Sequence, residues 1–194
     1  MLGKLLQHKN IILASGSPRR QQFFKDLDVN FEIRLKEVEE IYPDRLQHKE
    51  ITEFLSELKA KPFLKQLDND DILVTSDTIV WHNNKALGKP KSESEAFEMI
   101  QSMSNQTHEV ITSVCFTTQT SQKVISHVTK VTFKPLTKQE IDYYIKTYKP
   151  YDKAGAYGIQ EWIGHIGISH IEGSYNNVVG LPIHMVYQEL KQFI

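Results

Sequence analysis

Residues 11–20 read Ile-Ile-Leu-Ala-Ser-Gly-Ser-Pro-Arg-Arg, and this stretch decides the fold. The apolar residues 11–14 predict a strand that ends in a loop of small residues. Ser17 then takes the N-cap position of a helix and Pro18 its first helical position, a common start signal of a helix. The sequence therefore predicts a strand that leads directly into a helix, as in α/β proteins.

The two arginines of this stretch indicate a ligand. Arg19 and Arg20 fall in the first turn of the predicted helix, where the helix dipole disfavours each positive charge by roughly 0.3–1 kcal/mol. Two arginines beside backbone N–H groups and small side chains make sense if an anion binds there, and phosphate is the natural candidate. The alternative is an ordinary strand-to-helix turn with two solvated arginines, and this stretch alone does not separate the two.

Composition excludes several classes of protein. A chain of 194 residues is long enough for one substantial core, with room for two lobes. Hydrophobic residues make up 40%, charged residues 24% and the net charge is −1, which provides no basic excess for a nucleic-acid partner. No apolar window approaches the length of a membrane span, so we expect a cytoplasmic protein without a membrane partner. Cys115, the single cysteine, lies in an apolar run and is expected to be a buried thiol.

The pattern along the chain alternates strands with helices. Strands are predicted at residues 11–14, 31–35, 71–81, 108–117 and 124–133, of which the last two form a hairpin. Helices are predicted at residues 18–27 and 51–61, after the capping boxes Ser92/Glu95 and Thr137/Glu140, and after Pro182. Residues 155–180 form a glycine-rich segment before the last helix. The order predicts an α/β fold with a mixed sheet in a single domain over residues 1–194.

Asp77 interrupts the run Ile-Leu-Val-Thr-Ser-Asp-Thr-Ile-Val at residues 72–80, which otherwise predicts a buried strand. Removing a lone carboxylate from water is costly, so Asp77 must have a cation, a metal ion or a β-bulge beside it. The alternative is a structural aspartate at a break in the strand.

Two lysines and a small-residue segment are further candidates. Lys59 lies at the margin of the buried face of the helix at 51–61, where it can reach solvent or a cleft. Lys89 is held in the tight turn Gly88-Lys89-Pro90, although turn lysines usually face solvent. Residues 153–160, Lys-Ala-Gly-Ala-Tyr-Gly-Ile-Gln, allow close approach of the backbone to a ligand, or form an ordinary glycine-rich loop. No P-loop, G-x-G-x-x-G, zinc or G-x-S-x-G spacing occurs.

Taken together, these segments resemble the Maf family of nucleoside triphosphate pyrophosphatases. The matching stretches occur in the order of the family along nearly the whole chain, at residues 14–20, 38–40, 58–60, 76–80, 88–90, 104–108, 152–160 and 173–182. The resemblance implies an elongated α/β fold of the Maf/ITPase-like kind, in which a mixed sheet is flanked by helices and two lobes enclose a central cleft. It also implies hydrolysis of a nucleoside triphosphate to the monophosphate and pyrophosphate, a role in nucleotide-pool cleaning and cell-division arrest, and a homodimer.

The resemblance also assigns roles to individual residues. Asp77 matches the catalytic acidic residue of the family. Substrate-binding positions are matched by Ser15, Arg19, Arg20, Lys59, Thr78, Lys89 and Gln160. A divalent cation, Mg²⁺ or Mn²⁺, would be held by Glu39, Glu40 and Asp77, since the chain offers oxygen ligands rather than cysteine and histidine. Whether Asp77 activates water or holds the metal ion is open at this stage.

Base choice follows from the same matches. Arg20, Thr78 and Gln160 match the branch of the family that acts on dTTP and UTP. A glutamine amide has one donor and one acceptor, which suits the O4 and N3–H edge of uracil or thymine. One departure falls here, because Glu161-Trp162 follows Gln160 where a glycine is common. The alternative functions are a non-catalytic nucleotide-binding regulator of septation and a plain structural domain.

Overall fold

The structure, a computed structural model, describes all residues 1–194 and has a mixed α/β architecture. The strands are β1 (Asn10–Leu13), β2 (Phe31–Ile33), β3 (Asp71–His82), β4 (Lys85–Leu87), β5 (Thr107–Thr117), β6 (Gln122–Phe133) and β7 (Ile168–Glu172). The helices are α1 (Leu2–Leu5), α2 (Pro18–Asp26), α3 (Lys49–Ala60), α4 (Glu93–Met103), α5 (Lys138–Tyr148), α6 (Trp162–Gly167), α7 (Tyr175–Val179) and α8 (Ile183–Leu190). Short 3-10 segments cover Lys61–Gln66, Ala154–Ala156 and Lys191–Phe193.

One seven-stranded sheet contains all the strands. Its order is β2-β1-β3-β5-β6-β7, and β4 pairs with β3 outside this path. Strand β1 runs parallel to both β2 and β3, whereas β4 is antiparallel to β3 and β7 is antiparallel to β6. The predicted mixed sheet flanked by helices is therefore confirmed. None of the helices is both long and apolar enough to cross a membrane.

The chain divides into two compact units, each with its own apolar core. The first unit comprises Met1–Asp77, Thr112–His127 and Gly180–Ile194, and the second comprises Thr78–Ile111 and Val128–Val179. The largest core of the first unit includes Ile11, Leu13, Phe24, Ile72, Val74, Phe116 and Leu190. The core of the second unit includes Ile100, Met103, Val131, Phe133, Ile141, Tyr144 and Tyr157. Burial of these side chains is the main stabilising contribution within each unit.

The parallel pairing of β1 with β3 positions the loop after β1. In this register Leu13 lies opposite Val74, and the Ala14 N–H donates to the Val74 carbonyl at 3.0 Å. Beyond this bond the chain leaves β1 through Ser15 and enters α2 at Pro18, while β3 continues to Ser76 and Asp77. Strand β1 is buried at its last three residues, which is typical of a central parallel strand.

The start signals of the helices have mixed outcomes. Ser17 is the N-cap of α2 and Pro18 begins the helix, as predicted, but the Ser17 hydroxyl forms no capping hydrogen bond. Thr137 and Glu140 form the complete predicted capping box of α5. At α4, Ser92 accepts from the Glu95 N–H at 3.1 Å, whereas the Glu95 carboxylate accepts from the Lys91 N–H, one residue before the N-cap. That capping box is therefore only half formed.

The glycine-rich segment 155–180 differs most from its sequence-based description. The segment is not one long loop, because it contains α6, β7 and α7. Glycines raise the entropic cost of ordering the backbone, so the local sequence does not predict these elements. They are stabilised by packing against the core of the second unit. At Gly164, a β-carbon would come 1.9 Å from the Ile159 carbonyl oxygen, which shows that a glycine is needed for the close approach.

Candidate active site

The side chain of Arg20 is fixed by backbone carbonyls of the first unit. Its Nε donates to the Gly180 carbonyl at 2.9 Å and its Nη1 donates to the Ser76 carbonyl at 3.0 Å. Burial lowers the pKa of Arg20 from its ordinary value, the nearby carboxylates of Asp77 and Glu40 raise it, and the charge of Arg19 lowers it. The guanidinium is therefore held in place before any ligand arrives, in a region where positive and negative side chains meet.

Asp77 has the cation that the sequence demanded. Lys59, in the last turn of α3, donates from Nζ to Oδ1 of Asp77 at 2.6 Å, and Glu40 Oε1 lies 3.2 Å from the same Nζ. The Asp77 side chain is 9% exposed, that of Lys59 18% and that of Glu40 48%. A buried carboxylate is stabilised by such a charge-assisted hydrogen bond. The sequence allowed the Lys59 side chain to reach either solvent or a cleft, and in the structure it extends to Asp77.

Ser15 shapes the loop between β1 and α2. The residue is buried, its Oγ accepts from the Ser17 N–H at 3.3 Å, and its carbonyl accepts from the Gln21 side chain at 3.1 Å. These bonds hold the loop against the first turn of α2, where Arg19 and Arg20 lie. No acidic side chain occupies that first turn, so its positive dipole end meets only basic residues of its own helix. An anionic ligand would be stabilised there.

The carboxylates near Asp77 suit a metal ion that is coordinated partly by the protein and partly by the phosphates of a bound ligand. Asp77 and Glu40 meet at Lys59, while Glu39 is exposed and outside these contacts. No group of three His, Cys, Asp or Glu side chains comes together as a closed metal site. Mg²⁺ is commonly bound by one or two carboxylates together with substrate phosphates and water, so two carboxylates fit this mode. The assignment of Glu39 as a ligand stays a prediction.

The other three predicted site residues lie in the second unit. Thr78 is half-buried in β3, Lys89 is exposed in the turn after β4, and Gln160 is half-buried before α6. The turn that carries Lys89 is anchored by a hydrogen bond from the Gly155 N–H to the Gly88 carbonyl at 3.0 Å. This bond ties the lysine turn to the start of the segment that ends at Gln160.

A buried polar network surrounds that segment. The Tyr144 hydroxyl of α5 accepts from the Gly158 N–H at 3.0 Å and donates to Oε2 of Glu161. The other carboxylate oxygen of Glu161, Oε1, lies 3.1 Å from Nζ of Lys153, which also donates to Asp152 at 2.7 Å. Burial, together with the hydrogen bond to Glu161, raises the pKa of Tyr144, so the phenol stays protonated.

A second buried pair lies behind the same segment. His108 in β5 is buried, and its Nε2 lies 2.7 Å from the Tyr157 hydroxyl. Desolvation, with a smaller contribution from the charge of His82, lowers the pKa of His108 to about 3. The Nδ1 atom of His108 has no hydrogen-bond partner. This ring is therefore a neutral member of the core of the second unit.

Some of these residues were missed by sequence reasoning. The backbone carbonyls of Ser76 and Gly180 that hold Arg20 leave no signal in the sequence, because any residue has a carbonyl. Tyr144 could have been suspected, since a tyrosine on the buried face of a helix needs a partner for its hydroxyl. Lys153 begins the small-residue stretch 153–160 and Glu161 directly follows it, and no pattern in the sequence pairs the two.

A solved structure of low sequence identity has a similar fold. The solved structure of the Staphylococcus aureus Ham1 protein aligns with a TM-score of 0.53, covering 93% of this chain and 100% of that chain. At 16% sequence identity this likeness shows a shared fold. Two basic side chains, Arg20 held by backbone carbonyls and Lys59 held by carboxylates, therefore lie in the unit that contains the start of α2.

The chain belongs to the Maf family. The family described as Maf-like protein matches residues 10–193, which confirms the resemblance seen in the sequence. A Flavobacterium johnsoniae protein named dTTP/UTP pyrophosphatase is 64% identical over 194 residues, with 100% of both chains covered. Proteins of the same name from Christiangramia forsetii and Bacteroides fragilis are 57% and 49% identical, with at least 99% of each chain covered.

Proposed function

We propose that this protein hydrolyses nucleoside triphosphates to the monophosphate and pyrophosphate, and that dTTP and UTP are its best substrates. The observation that carries the proposal is the contact of Lys59 with both Asp77 and Glu40. A buried carboxylate held by a cation is an arrangement suited to acting on water, and relatives over the full chain are named dTTP/UTP pyrophosphatase.

Binding of the triphosphate would rest on basic side chains. A triphosphate carries roughly four negative charges, which Arg19, Arg20, Lys59 and Lys89 would neutralise. Arg20 is already oriented by two carbonyls and so would lose little side-chain entropy on binding. The N-terminus of α2 and the buried Ser15 would add backbone and hydroxyl donors to the phosphates.

Asp77 would act on the attacking water. Lys59 holds Oδ1, which leaves Oδ2 as the oxygen that takes a proton from a water molecule directed at the α-phosphorus. Attack there releases pyrophosphate, whereas attack at the γ-phosphorus would release inorganic phosphate. The lysine thereby fixes the orientation of the carboxylate, and positioning is a large part of catalysis in phosphoryl transfer.

The two carboxylates near Lys59 would also hold the cation. Asp77 and Glu40, with phosphate oxygens and water, form the oxygen ligand set of Mg²⁺ or Mn²⁺. When bound, such an ion neutralises charge that develops on the phosphates. Lys59 would then share Asp77 and Glu40 with the ion, so substrate and metal would have to bind together.

Base choice would rest on Gln160, with Thr78 and Arg20 at the matching family positions. The amide of Gln160 can accept from N3–H and donate to O4 of uracil or thymine, whereas cytosine presents the opposite pattern. An unpaired polar edge costs about 1–3 kcal/mol, which corresponds to roughly ten- to hundredfold selectivity. Homodimer formation, a cytoplasmic location and a role in nucleotide-pool cleaning and cell-division arrest stay predictions from the family resemblance.

A nucleotide panel tests the proposed function. The purified protein is incubated with dTTP, UTP, CTP, ATP, GTP and 7-methyl-GTP in the presence of Mg²⁺ or Mn²⁺, and pyrophosphate and inorganic phosphate are measured separately. We expect pyrophosphate from dTTP and UTP first, and loss of turnover in excess chelator. Full turnover in chelator would contradict the metal requirement. Tight nucleotide binding without any product would favour the non-catalytic regulator instead.

A further inference from the structure

Glu161 directly follows Gln160, the residue assigned to base choice. Its carboxylate lies between two buried groups of the second unit, with Oε2 at the Tyr144 hydroxyl and Oε1 at 3.1 Å from Lys153 Nζ. The Glu161 side chain is 19% exposed and that of Lys153 is 9% exposed. An ion pair this shielded from water holds both partners firmly and leaves a buried charge if one is removed.

The same carboxylate controls a backbone turn through Tyr144. The protonated hydroxyl of Tyr144 donates to Glu161 and accepts from the Gly158 N–H, so helix, carboxylate and turn backbone form one chain of hydrogen bonds. A second hydrogen bond, from the Glu161 N–H to the Gly158 carbonyl at 3.0 Å, closes the turn. Linked hydrogen bonds of this kind reinforce one another in a shielded environment.

The side chain of Gln160 packs inside this turn. A β-carbon placed on Gly158 would lie 2.9 Å from Nε2 of Gln160 and 2.9 Å from the carboxyl carbon of Glu161. Both side chains therefore lie over Gly158, in the space that a side chain at this position would fill. The next residue, Trp162, packs edge-on against Tyr143 of α5 at 4.9 Å between ring centroids. The pair 161–162 thus docks the turn on two adjacent residues of α5.

We propose that Glu161 is a positioning residue for Gln160, and that its contacts with Tyr144 and Lys153 set the orientation of the Gln160 amide and hence the choice of base. This inference rests on the proposed function, in which Gln160 pairs with the base. It adds that base selectivity depends on a carboxylate that does not itself touch the nucleotide. Selectivity in this chain would then reside in a network of four side chains, Lys153, Glu161, Tyr144 and Gln160.

The test compares variants of the network in the full-length protein. Glu161→Ala removes the carboxylate, Glu161→Gln keeps its size and its acceptor for Tyr144, and Tyr144→Phe keeps the buried ring. We expect the ratio of kcat/KM for dTTP over CTP to fall about three- to tenfold in Glu161→Ala and Tyr144→Phe, and by less in Glu161→Gln. The loss should appear as a higher KM for dTTP, while kcat stays near that of the unaltered protein.

Two controls separate positioning from general damage. Tyr148→Phe removes a phenol from the same helix, where Tyr148 stacks on Tyr144, and should leave the selectivity ratio unchanged. Amide hydrogen exchange gives a readout that needs no substrate: the Gly158 N–H should exchange about tenfold faster in Tyr144→Phe than in Tyr148→Phe.

The possible outcomes identify which statement fails. If the unaltered protein releases pyrophosphate without preference among bases, the proposed specificity falls and the inference falls with it. If the unaltered protein prefers dTTP and Gln160→Ala abolishes that preference, but Glu161→Ala and Tyr144→Phe retain it, the inference alone is overturned. If Glu161→Ala and Tyr144→Phe both lower the ratio and Glu161→Gln lowers it less, the positioning role is supported.

Discussion

The two units each hold a group of paired charges, but the groups are assembled differently. In the first unit, Lys59 contacts Glu40 and Asp77, which come from separate segments of the chain on either side of it. In the second unit, Lys153 and Glu161 lie eight positions apart in one stretch and are completed by Tyr144 of the preceding helix. The first group depends on the sheet, and the second depends on a local turn.

This difference predicts a division of roles. The group at Lys59 includes the exposed Glu40 carboxylate beside the buried Asp77, so water, metal ions and phosphates can approach it. In the group at Glu161, a hydrogen bond from Tyr144 and an ion pair with Lys153 already engage the two carboxylate oxygens, which suits orientation rather than chemistry. We therefore expect substitutions in the first group to lower turnover and substitutions in the second to alter the choice of substrate.

The largest effect is expected at Asp77. Asp77→Asn keeps the size but removes the charge, so turnover should fall by about 10²–10⁴-fold if Asp77 is the base. Folding should survive, because Lys59 retains Glu40 as a partner at 3.2 Å and a neutral amide is cheaper to bury. Pyrophosphate release and thermal unfolding of the same sample measure both effects.

Asp71 supplies the matched control for this comparison. It is a buried aspartate of the same strand, and its oxygens accept from the Asn10 side chain at 3.2 Å and from the Asp68 N–H at 3.0 Å. Asp71→Asn should lower the melting temperature and leave kcat unchanged. A near-normal rate in Asp77→Asn would remove Asp77 from the chemistry and would break the proposed division between the two groups.

The next effect concerns the triphosphate. Arg19→Ala and Lys89→Ala should each weaken triphosphate binding roughly ten- to hundredfold, the contribution of a charge-assisted hydrogen bond, and weaken monophosphate binding by less. Calorimetry with a non-hydrolysable triphosphate and with the monophosphate compares the two. Lys25→Ala, at the opposite end of α2, is the control and should bind both nucleotides normally. Equal losses for both ligands would show that these side chains do not bind the β and γ phosphates.

A smaller effect on rate, but a specific one, is expected at Gln160. Gln160→Ala should flatten the ranking of dTTP and UTP over CTP, ATP and GTP more than it slows the best substrate. The reason is that the amide pairs with the base, whereas the reacting bond lies at the phosphates. Competition assays with paired nucleotides measure the ratios directly. A panel in which a purine triphosphate or 7-methyl-GTP is clearly the best substrate for the unaltered protein would contradict the assignment.

The smallest effect on activity at neutral pH, yet a clear one on stability, is expected from His108. Its folded pKa of about 3 lies below the unfolded value near 6.5, so the unfolded chain binds the proton first as the pH falls. The contribution of His108 to the free energy of unfolding is complete above pH 6.5. It should decline by about 1.4 kcal/mol per pH unit as the pH falls from there toward 3.

Denaturant titrations at pH 7, 6 and 5 test this dependence. His108→Gln should lack this component of the decline, and the difference between the two proteins isolates it from the titration of carboxylates. Identical slopes for both proteins would show that His108 does not carry the dependence. Turnover of the unaltered protein at pH 7 gives the reference activity for both.

Much of the first group was accessible from the sequence. Asp77 in an apolar strand demanded a cation, and Lys59 at the edge of a buried helix face was one that could reach it. The sequence could not show which of the adjacent residues Glu39 and Glu40 contacts Lys59. Both are glutamates, and only the path of the chain brings Glu40 to Lys59. Likewise, residues 155–180 gave no helical or strand period, since glycines and tertiary contacts shape that segment.

By itself the sequence determined the mixed α/β class, the strand-to-helix turn at residues 14–18, the capping box of α5 and the need of Asp77 for a cation. These follow from short-range physics: propensity, side-chain caps and the cost of burying a lone charge. Only the tertiary structure decided that Lys59 pairs with both Asp77 and Glu40, that backbone carbonyls hold Arg20, and that Glu161 bridges Tyr144 and Lys153. Those contacts join residues far apart in the chain or depend on the exact direction of a side chain, and sheet register and core packing set both.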